Sequence, residues 1–242
     1  MRTNFAFAAW PYISLSLLAV GIVVRYFQAR KQMEAVSAEV TEAKSVFLGS
    51  RLWQTSLLFL LAGHVAGVVL PKAVLWWNGS VARLYILEGA AFAVGLMALG
   101  SWLVLMWRHL GESKRSAFIE LADTVFLSLV FVGLVSGLLM AVFYRWASSW
   151  GAITLAPYIA SLPGGRPATR FISDMPILVR IHVFSAFAAV AVLPLTRLAA
   201  VLVRGLHFCV LITSRPLTAV GQGIAGWVRR RNPAAWLWPE ED

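Results

Sequence analysis

The chain has 242 residues, 60% of them hydrophobic and only 13% charged, and its mean hydropathy is +0.75. Such a composition excludes an ordinary soluble domain, and the unbroken apolar runs exclude the alternating pattern of a β-barrel. The net charge of +10 would suggest nucleic acid in a soluble protein. Here the cations flank hydrophobic runs, where they read as topology signals and lipid contacts, so no nucleic-acid partner is expected.

A bilayer core about 30 Å thick needs roughly 20 mostly apolar residues per helix. In chain order, such runs place spans at about 8–25, 52–71, 84–107, 121–144 and 177–203. The first is long, has only Arg2 before it and is followed by no small-x-small cleavage site, so it is expected to be retained. Between the first two spans, Arg25, Arg30, Lys31, Lys44 and Arg51 mix with Glu34, Glu39 and Glu42, the pattern of a short cytoplasmic amphipathic helix. Arg108, Lys114 and Arg115 follow span three, and Arg204, Arg215 and Arg229 to Arg231 follow span five.

The positive-inside rule then puts the N-terminus outside and the C-terminus in the cytoplasm. The long connection 145–176, with Trp146, Trp150 and Leu-Pro-Gly-Gly-Arg-Pro at 162–167, belongs on the outer face. The expectation is an all-α integral membrane protein: a five-helix membrane domain over 1–203 and a basic cytoplasmic tail over 204–242.

The single cysteine, Cys209, excludes an intrachain disulfide, a four-thiolate iron–sulfur cluster and a Cys-x-x-Cys-His haem attachment. The histidines are more informative. His64 lies seven positions before Pro71 on a span running outward, and His182 six positions after Pro176 on a span running inward. At 1.5 Å per residue, both sit at one depth, roughly 10 Å below the outer boundary. Two neutral imidazoles at one level could hold a b-type haem, one on each face of the iron. Each could equally hydrogen-bond a neighbouring helix with no cofactor, and spacing does not separate the two readings. Gly63 and Gly67 beside His64, and Ser185, Ala186 and Ala189 after His182, would admit either a flat macrocycle or a close helix.

His109 and His207 lie at the expected cytoplasmic ends of spans three and five, as interfacial side chains or as a second, inner haem pair. Arg83 and Arg180, at the outer level, could pair haem propionates or lipid phosphates, and snorkelling accounts for Lys72. Glu88, one turn inside span three, is either a proton acceptor for quinol oxidation or an ion-pair partner of Arg83 or Arg180. Asp123 and Arg197 read as interfacial charges near the inner face that could pair with one another.

Trp-Pro-Tyr-Ile at 10–13, Arg-Tyr at 25–26, Gly-His-Val-Ala-Gly at 63–67, Arg-Ile-His at 180–182 and Pro-Leu-Thr-Arg-Leu at 194–198 follow one another in the order and spacing of a known family. Over nearly its whole length the chain resembles the gamma subunit of respiratory nitrate reductase, a five-helix cytochrome b membrane anchor. The resemblance implies an outer haem b on His64 and His182. It also implies an inner haem, whose ligands would stand ten positions before the first histidine and eighteen after the second. Those places hold Gln54 and Ala200, neither of which can serve.

The resulting expectation is a one-haem variant: an electron-transfer and anchor subunit of a respiratory oxidoreductase in the bacterial cytoplasmic membrane. It would pass electrons between the quinone pool and a partner redox subunit of iron–sulfur or cytochrome c type. One haem near the outer face leaves roughly 20 Å of the hydrocarbon core uncrossed, so that partner is expected outside. No hydrolase spacing, nucleotide loop or nucleophile arrangement occurs, and catalysis on a substrate is expected in another subunit. The alternative is a haem-free anchor of the same fold that tethers a soluble enzyme.

Overall fold

A computed structural model describes residues 2–111 and 117–231, and every regular element among them is helical. Five helices are long and apolar enough to cross a membrane: Ala6–Ala29, Arg51–Val69, Val81–Arg108, Leu121–Phe143 and Ile177–Leu195. They belong to α1 (Arg2–Ala29), α3 (Arg51–Val69), α5 (Val81–Gly111), α6 (Ala117–Phe143) and α9 (Ile177–Val192). Their outward faces are greasy, with Leu58 and Phe59 of α3 about two-thirds exposed in the isolated chain, as lipid contact requires.

The connections are shaped by local chemistry. α2 (Met33–Leu48) is the helix that the mixed charges predict. Ser50 then adopts an extended backbone and its hydroxyl accepts from the Trp53 amide at 3.4 Å, capping α3. Pro71 occupies the first turn of α4 (Pro71–Asn78), where its missing N–H costs nothing. The long connection 145–176 is largely helical: α7 (Ala147–Ser161) and α8 (Arg170–Ser173) occupy much of it, joined through Gly165 at φ +67°. Tyr158 of α7 is wholly buried and donates to the Phe7 carbonyl at 2.7 Å. Burial pushes its phenol up to about 12, so it remains a donor.

The fifth span departs from expectation. The apolar run 177–203 is two helices, because α9 closes in a short 3₁₀ turn at Leu193–Leu195 and Thr196 is extended before α10 (Ala199–Arg231) begins. Pro194 removes a helical donor there. α10 passes through residue 204 without interruption, and 232–242 of the expected tail lie outside the described residues.

The break is held from two sides. Arg25 of α1 donates to the carbonyls of Pro194 at 3.0 Å and Thr196 at 2.6 Å while pairing with Glu39 of α2. Asp123 of α6 accepts from the Arg197 amide at 3.0 Å and from its Nε at 2.5 Å. Asp123 and Arg197, expected at the interface, are therefore a buried pair, 0% and 8% exposed. Freed backbone groups at a helix break inside an apolar bundle must find partners of this kind. The close approach of α1 depends on Gly21, where an added Cβ would stand 2.5 Å from Pro194 Cβ.

Packing divides the bundle unevenly. α9 lies against α6 and α1, α3 against α5 and α7, and α10 against α2. One buried cluster, with Phe47, Trp53, Trp102 and Leu127, joins α2, α3, α5 and α6. α3 and α9 hardly touch one another, although each carries one of the histidines that the sequence places at one depth.

Candidate functional site

His64 stands five residues before the end of α3 and His182 five residues after the start of α9. Both are thus about 7 Å from the same end of the bundle, the end covered by α4 and α7. Their ring centroids are 5.8 Å apart and their planes differ by 20°. The metal–imidazole bond of about 2.0 Å known from zinc sites would put two ligating nitrogens about 4 Å apart across one ion. With the ring centres somewhat farther back, the observed centroid spacing is of the order, slightly short, that two imidazoles on one metal atom would require.

The ring nitrogens are already sorted. His64 Nδ1 lies 2.6 Å from the Leu60 carbonyl one turn earlier on α3. His182 Nδ1 lies 2.9 Å from the Gly133 carbonyl of α6 and 3.2 Å from Ser136 Oγ. A carbonyl can only accept, so both rings carry their proton on Nδ1, and Nε2 has no hydrogen-bond partner among the described residues. Metal-bound histidines show this arrangement, with the non-ligating N–H tied to a carbonyl.

The surroundings suit a flat group. Nothing lies within 4 Å of a Cβ added at Gly63 or Gly67, so α3 presents an open face beside His64. Across the gap Gly137 lets α6 close on His182, since a Cβ there would be 3.3 Å from the ring's Cε1. Gly133, Ser136 and Gly137 carry no signal in the sequence beyond small size. Only the crossing of α6 and α9 gives them a role.

Other sequence candidates fall in varied places. Arg83 donates to the Trp76 carbonyl at 3.2 Å and lies over the rings of Trp76 and Trp77 at 4.9 and 5.5 Å. Its buried Nε, like that of Arg180, has no hydrogen-bond partner among the described residues. Two buried guanidinium nitrogens near one end of the bundle could receive anionic groups there. Glu88 pairs with neither arginine. Its Oε1 accepts from the Ser148 amide at 2.8 Å and from the Ser148 hydroxyl at 2.5 Å, so the carboxylate caps the first turn of α7.

The other end of the bundle is filled differently. Gln54 is exposed on α3, and Ala200, 1% exposed, is packed with Val203 beneath Val36 and Val40 of α2. His207 stands two turns farther along α10 with its ring 6.1 Å from that of Tyr26. The side chain of His109 lies outside the described residues.

Residues 3–215 match the model of a family described as nitrate reductase gamma subunit. The chain belongs to this family. Among the gamma-chain relatives, a nitrate reductase gamma chain of Bacillus subtilis (strain 168) is 26% identical over 203 residues, covering 82% of this chain and 90% of the relative. The respiratory nitrate reductase 1 gamma chain of Escherichia coli (strain K12) is 23% identical over 202 residues, covering 80% and 88%. The nitrate reductase 2 gamma chain of the same organism is 21% identical over 199 residues, covering 80% and 87%.

The family motifs also acquire partners. Trp10 stacks on Phe184, two residues past His182, at 5.1 Å, and Tyr12 donates to the Leu162 carbonyl at 2.9 Å. Arg25 grips the Pro194–Thr196 break. Arg25 of the Arg-Tyr pair is thus the mate of Pro-Leu-Thr-Arg-Leu after α9, whereas Trp-Pro-Tyr-Ile meets Phe184 of α9 and the Leu162 carbonyl.

Proposed function

We propose that this gamma-family chain is a membrane-anchored electron-transfer subunit of a respiratory oxidoreductase complex. It exchanges electrons between quinol and a partner redox subunit through one haem b near the outer face. The observation that carries the reading is the pair His64 and His182, 5.8 Å apart with Nδ1 of each committed to a carbonyl. His64 and His182 would hold the haem, which when bound would supply single-electron chemistry.

The protein's part is to hold and shield. α6 fixes the His182 ring, and the glycines of α3 leave room for the macrocycle. Arg83 and Arg180 offer unpartnered guanidinium nitrogens that suit propionates. Glu88 serves α7, which argues for the structural reading over proton transfer. The orientation inferred from the cations puts this end of the bundle outside and the α2 end in the cytoplasm, in a bacterial inner membrane.

The wiring follows from what replaces the second site. From His64 to the start of α3 at Arg51 the helix runs 13 residues, or about 20 Å. Gln54 and Ala200 stand where the resemblance expects ligands, and Ala200 is sealed under two valines. Neither of those two positions offers a haem ligand, so the electron partner docks on the outer surface made by α7 and residues 162–176, α8 among them.

Absorption spectroscopy and iron analysis of the purified protein test this. Reduced haem b bands at about one iron per chain are expected, and both bands and iron should be lost in His64→Ala and in His182→Ala. A chain without haem would be the alternative, a tether only. Rapid haem-dependent transfer to an inner-face partner would overturn the outer docking.

A further inference from the structure

α6 meets His182 through a five-residue stretch, Gly133-Leu134-Val135-Ser136-Gly137. Ser136 is 3% exposed and has one proton to give. Its hydroxyl lies 2.6 Å from the Val132 carbonyl and 3.1 Å from that of Gly133, and either bond commits the proton to the helix backbone. What Oγ then turns to His182 Nδ1, at 3.2 Å, is a lone pair. The Gly133 carbonyl, 2.9 Å from the same nitrogen, also has only lone pairs. A deprotonated Nδ1 would face two acceptors, so the ring proton belongs there and the basic lone pair on Nε2. Gly137 permits the close crossing, with a hypothetical Cβ only 3.3 Å from the ring.

His64 is held differently. Its only hydrogen bond among the described residues is to Leu60 of its own helix, and its side chain is exposed. The two imidazoles are therefore seated unequally, and the difference is the pair of acceptors that α6 brings to His182.

We propose that Ser136 is a positioning residue for His182: together with the Gly133 carbonyl it holds the ring as the Nδ1–H tautomer, leaving Nε2 as the ligating atom, and it sets that ligand's donor strength. The ligation rests on the haem reading above, whereas the tautomer does not. A hydrogen-bonded Nδ1–H makes an imidazole a stronger donor and favours ferric over ferrous iron. Removing one acceptor shifts the balance toward the reduced form.

Full-length protein labelled with ¹⁵N at histidine and freed of haem is examined by NMR, with His182 assigned by comparison with His182→Gln. The wild type should show the Nδ1–H tautomer, and Ser136→Ala should move that resonance while leaving helicity intact. Ser136→Thr, which keeps a hydroxyl, should bring it back. In haem-loaded protein, Ser136→Ala should raise the ferrous-to-ferric ratio at fixed potential about threefold, or about +28 mV at 59 mV per decade. An Nε2–H tautomer in the wild type, or an unchanged resonance and potential in Ser136→Ala, overturns the proposal. Absence of haem bands from the wild type would sink the electron-transfer reading alone, because the haem-free NMR measurement still decides the role of Ser136.

Discussion

Replacing Asp123 with alanine should be among the most damaging single changes in the bundle. The carboxylate is 0% exposed and holds both the amide of Arg197 at 3.0 Å and its Nε at 2.5 Å. Alanine would leave a guanidinium, 8% exposed in the native chain, without a counter-charge, and a helix-start amide without an acceptor. Breaking a buried pair in this way costs about 3–5 kcal/mol. For a chain of this length each kcal/mol corresponds to about 2–4 °C, so the midpoint should fall by roughly 6–20 °C. Thermal unfolding followed by far-UV circular dichroism in detergent measures it, independently of any cofactor. The double variant Asp123→Leu with Arg197→Met removes both charges and should recover most of the loss, because apolar replacement of a buried pair is often neutral. A fall of less than about 3 °C for Asp123→Ala, or a double variant no better than the single one, would refute the reasoning.

Other outcomes follow from particular contacts. Gly21→Ala puts a methyl 2.5 Å from Pro194 Cβ and should cost about 1–3 kcal/mol by overpacking, read as a lowered thermal midpoint with α1 still helical. Glu88→Ala should cost about 1 kcal/mol through the lost cap of α7, with haem bands retained. Quinol oxidation abolished in Glu88→Gln at an unchanged midpoint would instead restore the proton-acceptor role. His207→Ala should leave the iron content unchanged, and a halved value would reveal a second haem at the α2 end.

Much of the fold was legible because the bilayer imposes a length on apolar runs, and a run is a local property. Four spans end within a few residues of expectation, and α2 follows from its mixed charges. Span five was misread for the same reason. Apolar residues continue on both sides of Leu-Pro-Leu-Thr, whereas the break at Thr196 is made viable by Arg25 and Asp123 from distant helices. At the site, His64 and His182 could be matched in depth by counting from Pro71 and Pro176. Ser136 could not be found, since a serine among apolar residues on α6 has nothing to distinguish it from Ser128, which bonds back to its own helix at Thr124.

The sequence by itself determined the number of spans and the positions of the two histidines along them, quantities that depend on position along one chain. Tertiary structure decided the rotations. A helix that is apolar on every side carries almost no phase in its sequence, so only packing could turn His182 toward Gly133 and Ser136, Glu88 toward Ser148 and Asp123 toward Arg197. Packing also left α3 and α9 with few contacts to each other, with the two depth-matched imidazoles 5.8 Å apart between ring centroids.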